Sequence, residues 1–457
     1  MASKATDDIE VAEDVDGPER DGGFEKPYVV VGRAIAEAMD ELGGRPAFTD
    51  LVLGARKIIL DAHRARLEHP PAPPSAPLAD RAFLQEALYW GTYADAVYEK
   101  SLALCLSRVP VSRDDVLKSD WKVVTLRPVF ALVHDAGKKK IVLAIRGTHS
   151  VSDAMTDACA AAEPFAGDTA HRGMVRAAQW FIDNILEDIT GALARYPDCG
   201  LLVTGHSLGA GTAALLTILL KEHVEQSRLF CWAFATPACA SPTLSEAHKT
   251  MIVSVVNDLD AVPRLSLYAA EMARRALEES GWRDEYKEAY DAEYDRMAKY
   301  LNDSPVFSRV VKAIDVTSKV LDKALDAASE AASKHLKAAA DSKYGKAATA
   351  ASAKVSAKAS AVAVAASVKI RGGAGDSVEE AKGGGDAAIV DSAPPKVPDP
   401  MVPVGRIVHL SVSDDVVFAR DAPSSEFMRL APGKTMLSDH SMDLYLARLR
   451  AAADRLG

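Results

Sequence analysis

The sequence predicts an α/β fold in which a mostly parallel sheet is covered by helices on both faces. Strand-like apolar runs alternate with helix-like segments between residues 121 and 265. Within the helix-like segments the apolar residues recur with the period of an α-helix. A serine flanked by glycines also joins one strand directly to one helix. Such alternation is typical of parallel sheets, whose neighbouring strands require crossover connections.

The composition is that of a globular protein with a substantial core. Of 457 residues, 48% are hydrophobic and 26% are charged, which excludes collagen-like and wholly disordered classes. The 54 basic against 64 acidic side chains give a net charge of −10, so nucleic acid is not an expected partner. The five cysteines lack C-x-x-C spacing, which favours reduced thiols over a disulfide framework or a zinc site.

Changes in composition divide the chain into regions. We expect residues 1–26 to form a disordered acidic tail and 27–110 a helical region that packs on the core. Residues 111–265 and 401–457 carry the α/β domain, and 266–400 form an insert that is first helical and then rich in Ala, Lys and Gly.

Membrane-spanning and export signals are not evident in the sequence. The acidic N-terminus lacks the basic region and apolar run of a signal peptide. The longest apolar stretch, 208–220, is shorter than the roughly 20 residues of a bilayer span. We therefore expect a cytoplasmic protein whose contact with membranes is at most peripheral.

The strands and helices follow from periodicity and from turn residues. Two neighbouring strands are expected between Trp121 and Arg146, separated by a turn at Asp135-Ala136-Gly137. Further strands are expected at 201–204, 229–235, 251–256, 405–412 and 416–421. Helices are expected at 29–67, 81–106, 172–195, 208–222 and 304–325.

The motif Gly205-His206-Ser207-Leu208-Gly209 lies between an expected strand and an expected helix. A serine that attacks a carbonyl must stand on a sharp strand-to-helix turn, where the flanking residues need to be small. The following helix directs its N-terminal N–H groups at the place where negative charge develops. Ser207 is therefore the candidate nucleophile, and the alternative is a glycine-rich turn with an incidental serine.

A serine nucleophile requires a histidine base and a carboxylate, usually in the chain order Ser, Asp, His on this fold. Asp258 and Asp260 both follow a strand, and their spacing does not separate them. Three histidines come later in the chain. His335 lies in the Ala/Lys tract and His409 inside a strand, whereas His440 lies in a polar turn before a final helix, which suits a catalytic loop.

Acyl transfer also needs donors for the oxyanion. One is usually the N–H of the residue after the nucleophile, here Leu208. The second is expected from the turn after the strand 141–145, where Thr148 offers its N–H and its hydroxyl.

Five segments of the sequence together resemble the class 3 (fungal-type) lipase family, and within it the sn-1-specific diacylglycerol lipases. In the order of that family they are IVLAIRGTHSVSDAMTDA, AHRGMVRAAQWF, LLVTGHSLGAGTAALL, SVVNDLDAVPRLSL and TMLSDHSMDLY. The resemblance implies an α/β-hydrolase fold. It also implies the following roles: Ser207 as nucleophile, Asp260 as orienting acid, His440 as base, Thr148 and Leu208 as oxyanion donors, and a lid beginning near His149.

The function that this resemblance implies is hydrolysis of a fatty-acyl ester in a glycerolipid, of the tri- or diacylglycerol lipase type. Diacylglycerol would give monoacylglycerol and fatty acid through an acyl-enzyme, with no metal or other cofactor. Alternatives are a phospholipase A1, a monoacylglycerol lipase or an esterase on the same fold, or a catalytically idle signalling or scaffold protein. The expected partner is a glycerolipid at a membrane or lipid-droplet surface. The lid and the basic residues of the insert would contact this surface. The alternative is that the insert is only a solvated linker.

Overall fold

A computed structural model describes most of the helical region and of the α/β domain. The described residues are 27–41, 48–69, 71–78, 80–122, 127–148, 161–279 and 397–457. The expected acidic tail, the expected lid from His149 and nearly all of the insert, including His335 and the helix at 304–325, lie outside them.

The described strands form one eight-stranded sheet and one two-stranded sheet. In chain order they are β1 (Val116–Asp120), β2 (Phe130–Asp135), β3 (Lys140–Ile145), β4 (Ala162–Phe165), β5 (Asp168–His171), β6 (Gly200–His206), β7 (Leu229–Phe234), β8 (Ile252–Asn257), β9 (Arg406–Ser413) and β10 (Val416–Ala422). The large sheet has the order β1-β2-β3-β6-β7-β8-β9-β10, and β4 pairs with β5. The strands from β3 to β9 in this order are parallel, whereas β1, β2 and β10 are antiparallel to their neighbours.

Helices cover both faces of the large sheet. The described α-helices are α1 (Pro27–Glu41), α2 (Phe48–Glu68), α3 (Arg81–Ala96), α4 (Leu102–Leu106), α5 (Arg172–Arg195), α6 (Leu208–Leu220), α7 (Pro242–Ala247), α8 (Leu267–Glu279) and α9 (Met442–Asp454). Helices α5 and α6 pack on one face, and α3 and α9 on the other. None of these described helices has the length and apolar character that crossing a bilayer requires.

Strand β3 shows why the central strands are apolar throughout. Ile141, Leu143 and Ile145 pack against the layer of α5 and α6, while Val142 and Ala144 pack against the layer of α3 and α9. A strand buried on both faces cannot alternate apolar with polar residues. The predicted α/β-hydrolase fold, a mostly parallel sheet between two helical layers, is thereby confirmed.

Helices α5 and α6, which share one face of the sheet, differ in how much of their surface is buried, as their sequences predict. Helix α6 is buried along almost its whole length, because it lies between the sheet and α5. Helix α5 is amphipathic and buries Met174, Phe181, Ile185 and Ile189 at helical spacing. These contacts fix the orientation of α6, whose first turn follows Ser207.

The first edge of the sheet differs from the prediction. Strand β2 begins only at Phe130, and Trp121 and Lys122 belong to no strand. The Trp121 indole N–H instead donates to the Glu99 carbonyl oxygen at 2.9 Å. The edge strand is β1, which lies earlier in the chain and has the polar sequence VLKSD, so it lacks the apolar signal of a buried strand.

Helices α1 and α2 pack on the loop that follows β8 and on the loop that precedes α9. Ile35 and Ile59 share one buried apolar cluster with Val262, Leu265 and Met436. Since this cluster includes residues close to Asp260 and to His440, both helices contribute to the surroundings of the candidate site.

Candidate active site

Ser207 lies in a sharp turn between the end of β6 and the start of α6. Its backbone angles are φ 58° and ψ −129°, a region that residues other than glycine rarely adopt. Ser207 is held in this conformation because its N–H donates to the Phe234 carbonyl oxygen at 2.9 Å and α6 continues directly from Leu208. The strand, strained turn and helix that the motif predicts are confirmed.

The glycines on either side of Ser207 permit a very close approach to β3. A Cβ atom at Gly205 would lie 2.8 Å from the Ile145 carbonyl oxygen and 2.6 Å from the backbone of Gly209. A Cβ atom at Gly209 would collide with the same Ile145 oxygen. Both positions therefore need glycine because of backbone contacts, whatever the conformation of the turn.

The structure brings Ser207, His440 and Asp260 together, although the last two are 180 residues apart in sequence. His440 Nε2 lies 2.9 Å from Ser207 Oγ. On the other side of the ring, Nδ1 lies 3.0 Å from Oδ2 and 3.1 Å from Oδ1 of Asp260. All three side chains are buried, with exposed fractions of 1%, 3% and 0% respectively. A neutral His440 in this place can accept the serine proton at Nε2 while Nδ1–H donates to the carboxylate.

The other candidate carboxylate, Asp258, makes a different contact. Its two carboxylate oxygens each lie 2.9 Å from Nη2 of Arg66 on α2. Its backbone also has a positive φ of 31°. Of the two aspartates that the spacing left open, the structure brings only Asp260 to His440.

His409 lies in β9 and does not join the three residues. Its Nε2 lies 2.9 Å from the Asp258 carbonyl oxygen, and its Nδ1 lies 3.0 Å from Nη2 of Arg420. Burial and the nearby Arg264 charge lower the pKa of His409 to about 4. Its imidazole is therefore neutral at pH 7, with Nε2–H as the donor.

Tyr445 is a neighbour of Asp260 that the sequence alone did not identify. Its hydroxyl donates to Asp260 Oδ2 at 2.7 Å and accepts from the Asn257 N–H at 3.0 Å. Burial and the charge of Asp260 raise the pKa of Tyr445 well above its usual value, so the phenol stays protonated. The available signal was a single aromatic residue shortly after His440 in the final helix.

Further hydrogen bonds join the loop of Asp260 to the loop of His440. The Asn257 side-chain amide donates to the Asp439 carbonyl oxygen at 2.8 Å, and the Leu259 N–H donates to Asp439 Oδ2 at 3.2 Å. Arg448 Nη1 donates to Asn257 Oδ1 at 2.7 Å. Burial raises the pKa of Asp439, and the Arg448 charge opposes this effect. The two loops therefore behave as one hydrogen-bonded unit.

A buried arginine after β8 also forms hydrogen bonds with the loop of Asp260. Arg264 donates to the carbonyl oxygens of Asp258 and Glu426 at 3.2 Å and 2.8 Å, and its guanidinium lies 4.5 Å from the centre of the Phe427 ring. Burial lowers the pKa of Arg264, whereas the Asp260 charge acts in the opposite direction. Arg264 thus supplies positive charge near the Asp260 carboxylate.

The two residues expected to bind an oxyanion lie at the ends of neighbouring elements. Leu208 is the first residue of α6, and Thr148 follows the end of β3. The Thr148 hydroxyl oxygen is buried and has no hydrogen-bond partner among the described residues. A Cβ atom at Gly147 would lie 3.0 Å from the Gly209 nitrogen, so the turn after β3 lies against the turn of Ser207. In the described part of the chain, no group of three or more His, Cys, Asp or Glu side chains is placed to hold a metal ion.

Solved structures with similar backbones include fungal lipases. A triacylglycerol lipase structure is 20% identical, with a TM-score of 0.37, over 43% of this chain and 76% of that one. A lipase from Rhizopus microsporus var. chinensis is 23% identical, with a TM-score of 0.37, over 43% of this chain and 74% of that one.

Sequence comparisons point to one family. Residues 142–269 match the family model for lipase (class 3). Diacylglycerol lipase-beta of Mus musculus is 35% identical over 157 residues, which are 32% of this chain and 23% of that protein. Diacylglycerol lipase-alpha of Homo sapiens is 37% identical over 178 residues, 36% of this chain and 17% of that protein, so the chain covers less than a quarter of either relative. Over residues 142–269 the chain is therefore similar to the class 3 lipases.

Proposed function

We propose that this chain is a serine hydrolase that cleaves a fatty-acyl ester of a glycerolipid, with diacylglycerol as substrate and monoacylglycerol and fatty acid as products. The observation that carries the proposal is the 2.9 Å separation of His440 Nε2 and Ser207 Oγ, with Asp260 at the other ring nitrogen. The substrate class is supported by the two relatives named diacylglycerol lipases, at 35% and 37% identity.

In the first half of the proposed reaction, Ser207 Oγ attacks the ester carbonyl carbon while His440 Nε2 accepts its proton. The carbonyl oxygen becomes an oxyanion, which the N–H of Leu208 and the N–H and hydroxyl of Thr148 stabilise. The tetrahedral intermediate then collapses. The ester bond to the glycerol breaks, His440 returns the proton to the departing glycerol oxygen, and the acyl group stays on Ser207.

In the second half, water repeats these steps on the acyl-enzyme. His440 accepts a proton from water as its oxygen attacks the acyl carbon, and then returns the proton to Ser207 Oγ as the fatty acid leaves. Asp260 orients His440 throughout and stabilises its charged form. Asp260 does this through the paired contacts of both carboxylate oxygens with Nδ1.

The experiment that tests this function compares hydrolysis of matched mono-, di- and triacylglycerols and phospholipids by the wild type and by Ser207→Ala. We expect diacylglycerol to be the best substrate and the variant to lose about 10⁶-fold in kcat, by analogy with other serine triads. Substantial remaining activity in Ser207→Ala would reject Ser207 as the nucleophile. A preference for phospholipid, monoacylglycerol or short-chain esters would keep the mechanism and replace the substrate. If a fluorophosphonate failed to label Ser207, the chain would be a catalytically idle protein with a lipase fold.

We further propose that the protein binds its substrate at a lipid surface. Glycerolipids with two acyl chains are held in membranes and droplets, so the chain must contact that surface at least peripherally. Sedimentation of the full chain with vesicles of neutral or anionic phospholipid tests this proposal. Stronger binding to anionic vesicles would support a role for the basic insert, and absence of binding to both would reject peripheral contact.

A further inference from the structure

Tyr98 and His206 form a hydrogen-bonded pair next to the nucleophile turn. Tyr98 follows the end of α3, and His206 is the last residue of β6, directly before Ser207. The Tyr98 hydroxyl oxygen lies 3.2 Å from His206 Nδ1 and 3.2 Å from the His206 carbonyl oxygen. The two rings meet edge to face, with centres 5.7 Å apart. One phenol therefore contacts both the side chain and the backbone of the residue before the nucleophile.

The same hydroxyl also binds the turn that carries Thr148. The Gly147 N–H donates to the Tyr98 oxygen at 3.1 Å. A Cβ atom at Gly147 would lie 2.6 Å from that oxygen and 2.5 Å from the His206 carbonyl oxygen. Only glycine allows this approach. Its N–H is committed to Tyr98, which fixes the Arg146–Gly147 peptide, one peptide before the Thr148 N–H.

His206 extends the contact to the loop of the base. Its Nε2 lies 2.9 Å from the His440 carbonyl oxygen, which can only accept, so Nε2 carries the proton. Burial, assisted by the nearby His440, lowers the pKa of His206 to about 3. His206 is therefore neutral, and its bare Nδ1 accepts the Tyr98 O–H. The Tyr98 hydroxyl thus donates to His206 and accepts from the Gly147 N–H.

We propose that Tyr98 and His206 are positioning residues, which hold the turn of Thr148 and the loop of His440 in fixed relation to Ser207. Hydrogen bonds from Gly147 to Tyr98, from Tyr98 to His206 and from His206 to His440 join these three loops. The inference rests on the proposed hydrolase function. Oxyanion stabilisation depends on donors that are already in place before the reaction, so small displacements of these loops slow the chemical step.

Tyr98 lies outside the residues that match the family model, which begin at residue 142. The helical region before the α/β domain therefore contributes directly to the geometry of the site. Helix α3 is suited to this task because Trp90 and Tyr93 anchor it in the core on the face opposite α5 and α6. The alternative is that Tyr98 only satisfies buried polar groups and stabilises the fold.

Tyr98→Phe separates these two roles, because it removes the hydroxyl and keeps the ring. We expect kcat on diacylglycerol to fall about 10- to 100-fold, with KM changed less than about twofold. The affinity for an acyl trifluoromethyl ketone, which forms a tetrahedral adduct with the serine, should fall by the same factor. An effect on stability alone would change neither kcat nor the affinity for this ketone in the folded protein.

Tyr93→Phe is the matched control. It removes a buried hydroxyl from α3, five residues before Tyr98, and this hydroxyl donates to Asp135 Oδ2 at 2.8 Å. Asp135 pairs with Lys140, the first residue of β3. This contact lies at the amino end of β3, whereas Ser207 follows the carboxyl end of the neighbouring strand β6. We expect Tyr93→Phe to keep the wild-type kcat even where it lowers the unfolding temperature.

Two further variants test the pair itself. Replacing Tyr98 by 4-aminophenylalanine keeps a donor towards His206, so it should recover most of the activity lost in Tyr98→Phe, and it serves as the test if Tyr98→Phe does not fold. His206→Gln keeps a donor towards His440, and combined with Tyr98→Phe it should lose less than the product of the two single effects.

The results distinguish the failure of this inference from failure of the proposed function. If the wild type hydrolysed no ester, the proposed function would be wrong. If the wild type were active and Tyr98→Phe lowered kcat no more than Tyr93→Phe, the positioning role would be wrong and the function would stand. Unchanged affinity for the trifluoromethyl ketone, no recovery with 4-aminophenylalanine, or independent effects of the two positions would also overturn the role.

Discussion

The Tyr445 hydroxyl donates to Oδ2 of Asp260 across 2.7 Å, from a helix that begins two residues after His440. The Val262 N–H donates to the other oxygen, Oδ1, at 3.0 Å. With His440 Nδ1 near both oxygens, the carboxylate has a donor on each side. The Tyr445 hydroxyl and the Val262 N–H, which take no part in proton transfer, therefore fix the plane of the carboxylate.

Tyr445→Phe should lower kcat about 10-fold with little change in KM. The variant removes one hydrogen bond to the carboxylate, worth about 1 to 2 kcal/mol, and leaves the Asn257 N–H without its acceptor. The free energy of unfolding should fall by a similar amount in urea titrations. Tyr89→Phe, which removes a hydroxyl that donates to Asp135 at 2.5 Å, is the control and should keep full kcat. Wild-type kcat in Tyr445→Phe would show that Asp260 needs no such support.

Asp260→Asn should mainly lower kcat, whereas Asp258→Asn should mainly lower stability. Asp260→Asn should lower kcat about 10⁴-fold, as in serine proteases, because an amide does not hold His440 in the required tautomer. Asp258→Asn should keep kcat nearly unchanged but lose about 1 to 3 kcal/mol of stability, because it breaks the ion pair with Arg66. Steady-state kinetics and urea titrations on the two variants provide the measurements. Equal losses of kcat would leave the orienting acid unassigned.

The local part of the site was predictable from sequence, and the part made by distant contacts was not. The strand, turn and helix around Ser207 depend on neighbouring residues, so the spacing of Gly205 and Gly209 was sufficient. The spacing does not distinguish Asp258 from Asp260, because the difference depends on a distant contact: Arg66 of α2 forms an ion pair with Asp258. That arginine is 192 residues away from Asp258 in sequence.

Tyr98 and Tyr445 illustrate the same limit. In the sequence, each is one aromatic residue in a segment expected to be helical, where aromatic residues usually contribute only to the core. Their hydroxyls acquire a role through partners in other loops, at separations of 49 residues for Gly147 and 185 for Asp260. The sheet was predicted well where strands are buried and apolar, and it was missed at β1, where an edge strand is polar.

Gly209→Ala should disrupt the site through the backbone. The added methyl group would collide with the Ile145 carbonyl oxygen and lie 2.8 Å from the backbone of Arg146 and Gly147, so α6 must move away from β3. We expect a loss of several kcal/mol in stability and of most activity, since Leu208 would move with the helix. Gly191→Ala in α5 is the control, because in the described part of the chain the added methyl group would meet no heavy atom within 4 Å beyond its chain neighbours and the nearby backbone of α5. That control should be neutral or gain up to about 1 kcal/mol. Normal activity in Gly209→Ala would contradict the close approach of α6 and β3.

Stability should fall in mildly acidic solution because of buried neutral histidines. The pKa of His409 is lowered from 6.5 to about 4, mainly by burial, so between these values the unfolded state binds a proton that the folded state does not. The free energy of unfolding therefore rises with pH across this window, by up to about 1.4 kcal/mol per pH unit for this group. His206, with a pKa lowered to about 3, adds a slope of the same sign.

His409→Gln should make that dependence shallower. Glutamine does not titrate and can still donate to the Asp258 carbonyl oxygen, so the variant should lose stability at pH 8 but approach the wild type as the pH falls from 6.5 to 4. Urea titrations at four pH values in this range measure the difference. His223→Gln, at an exposed position, is the control and should follow the slope of the wild type. A constant difference between wild type and His409→Gln across the window would mean that His409 binds a proton equally well in the folded and unfolded states. Burial among Arg264, Arg420 and the Asp258 carbonyl would then not keep its imidazole neutral.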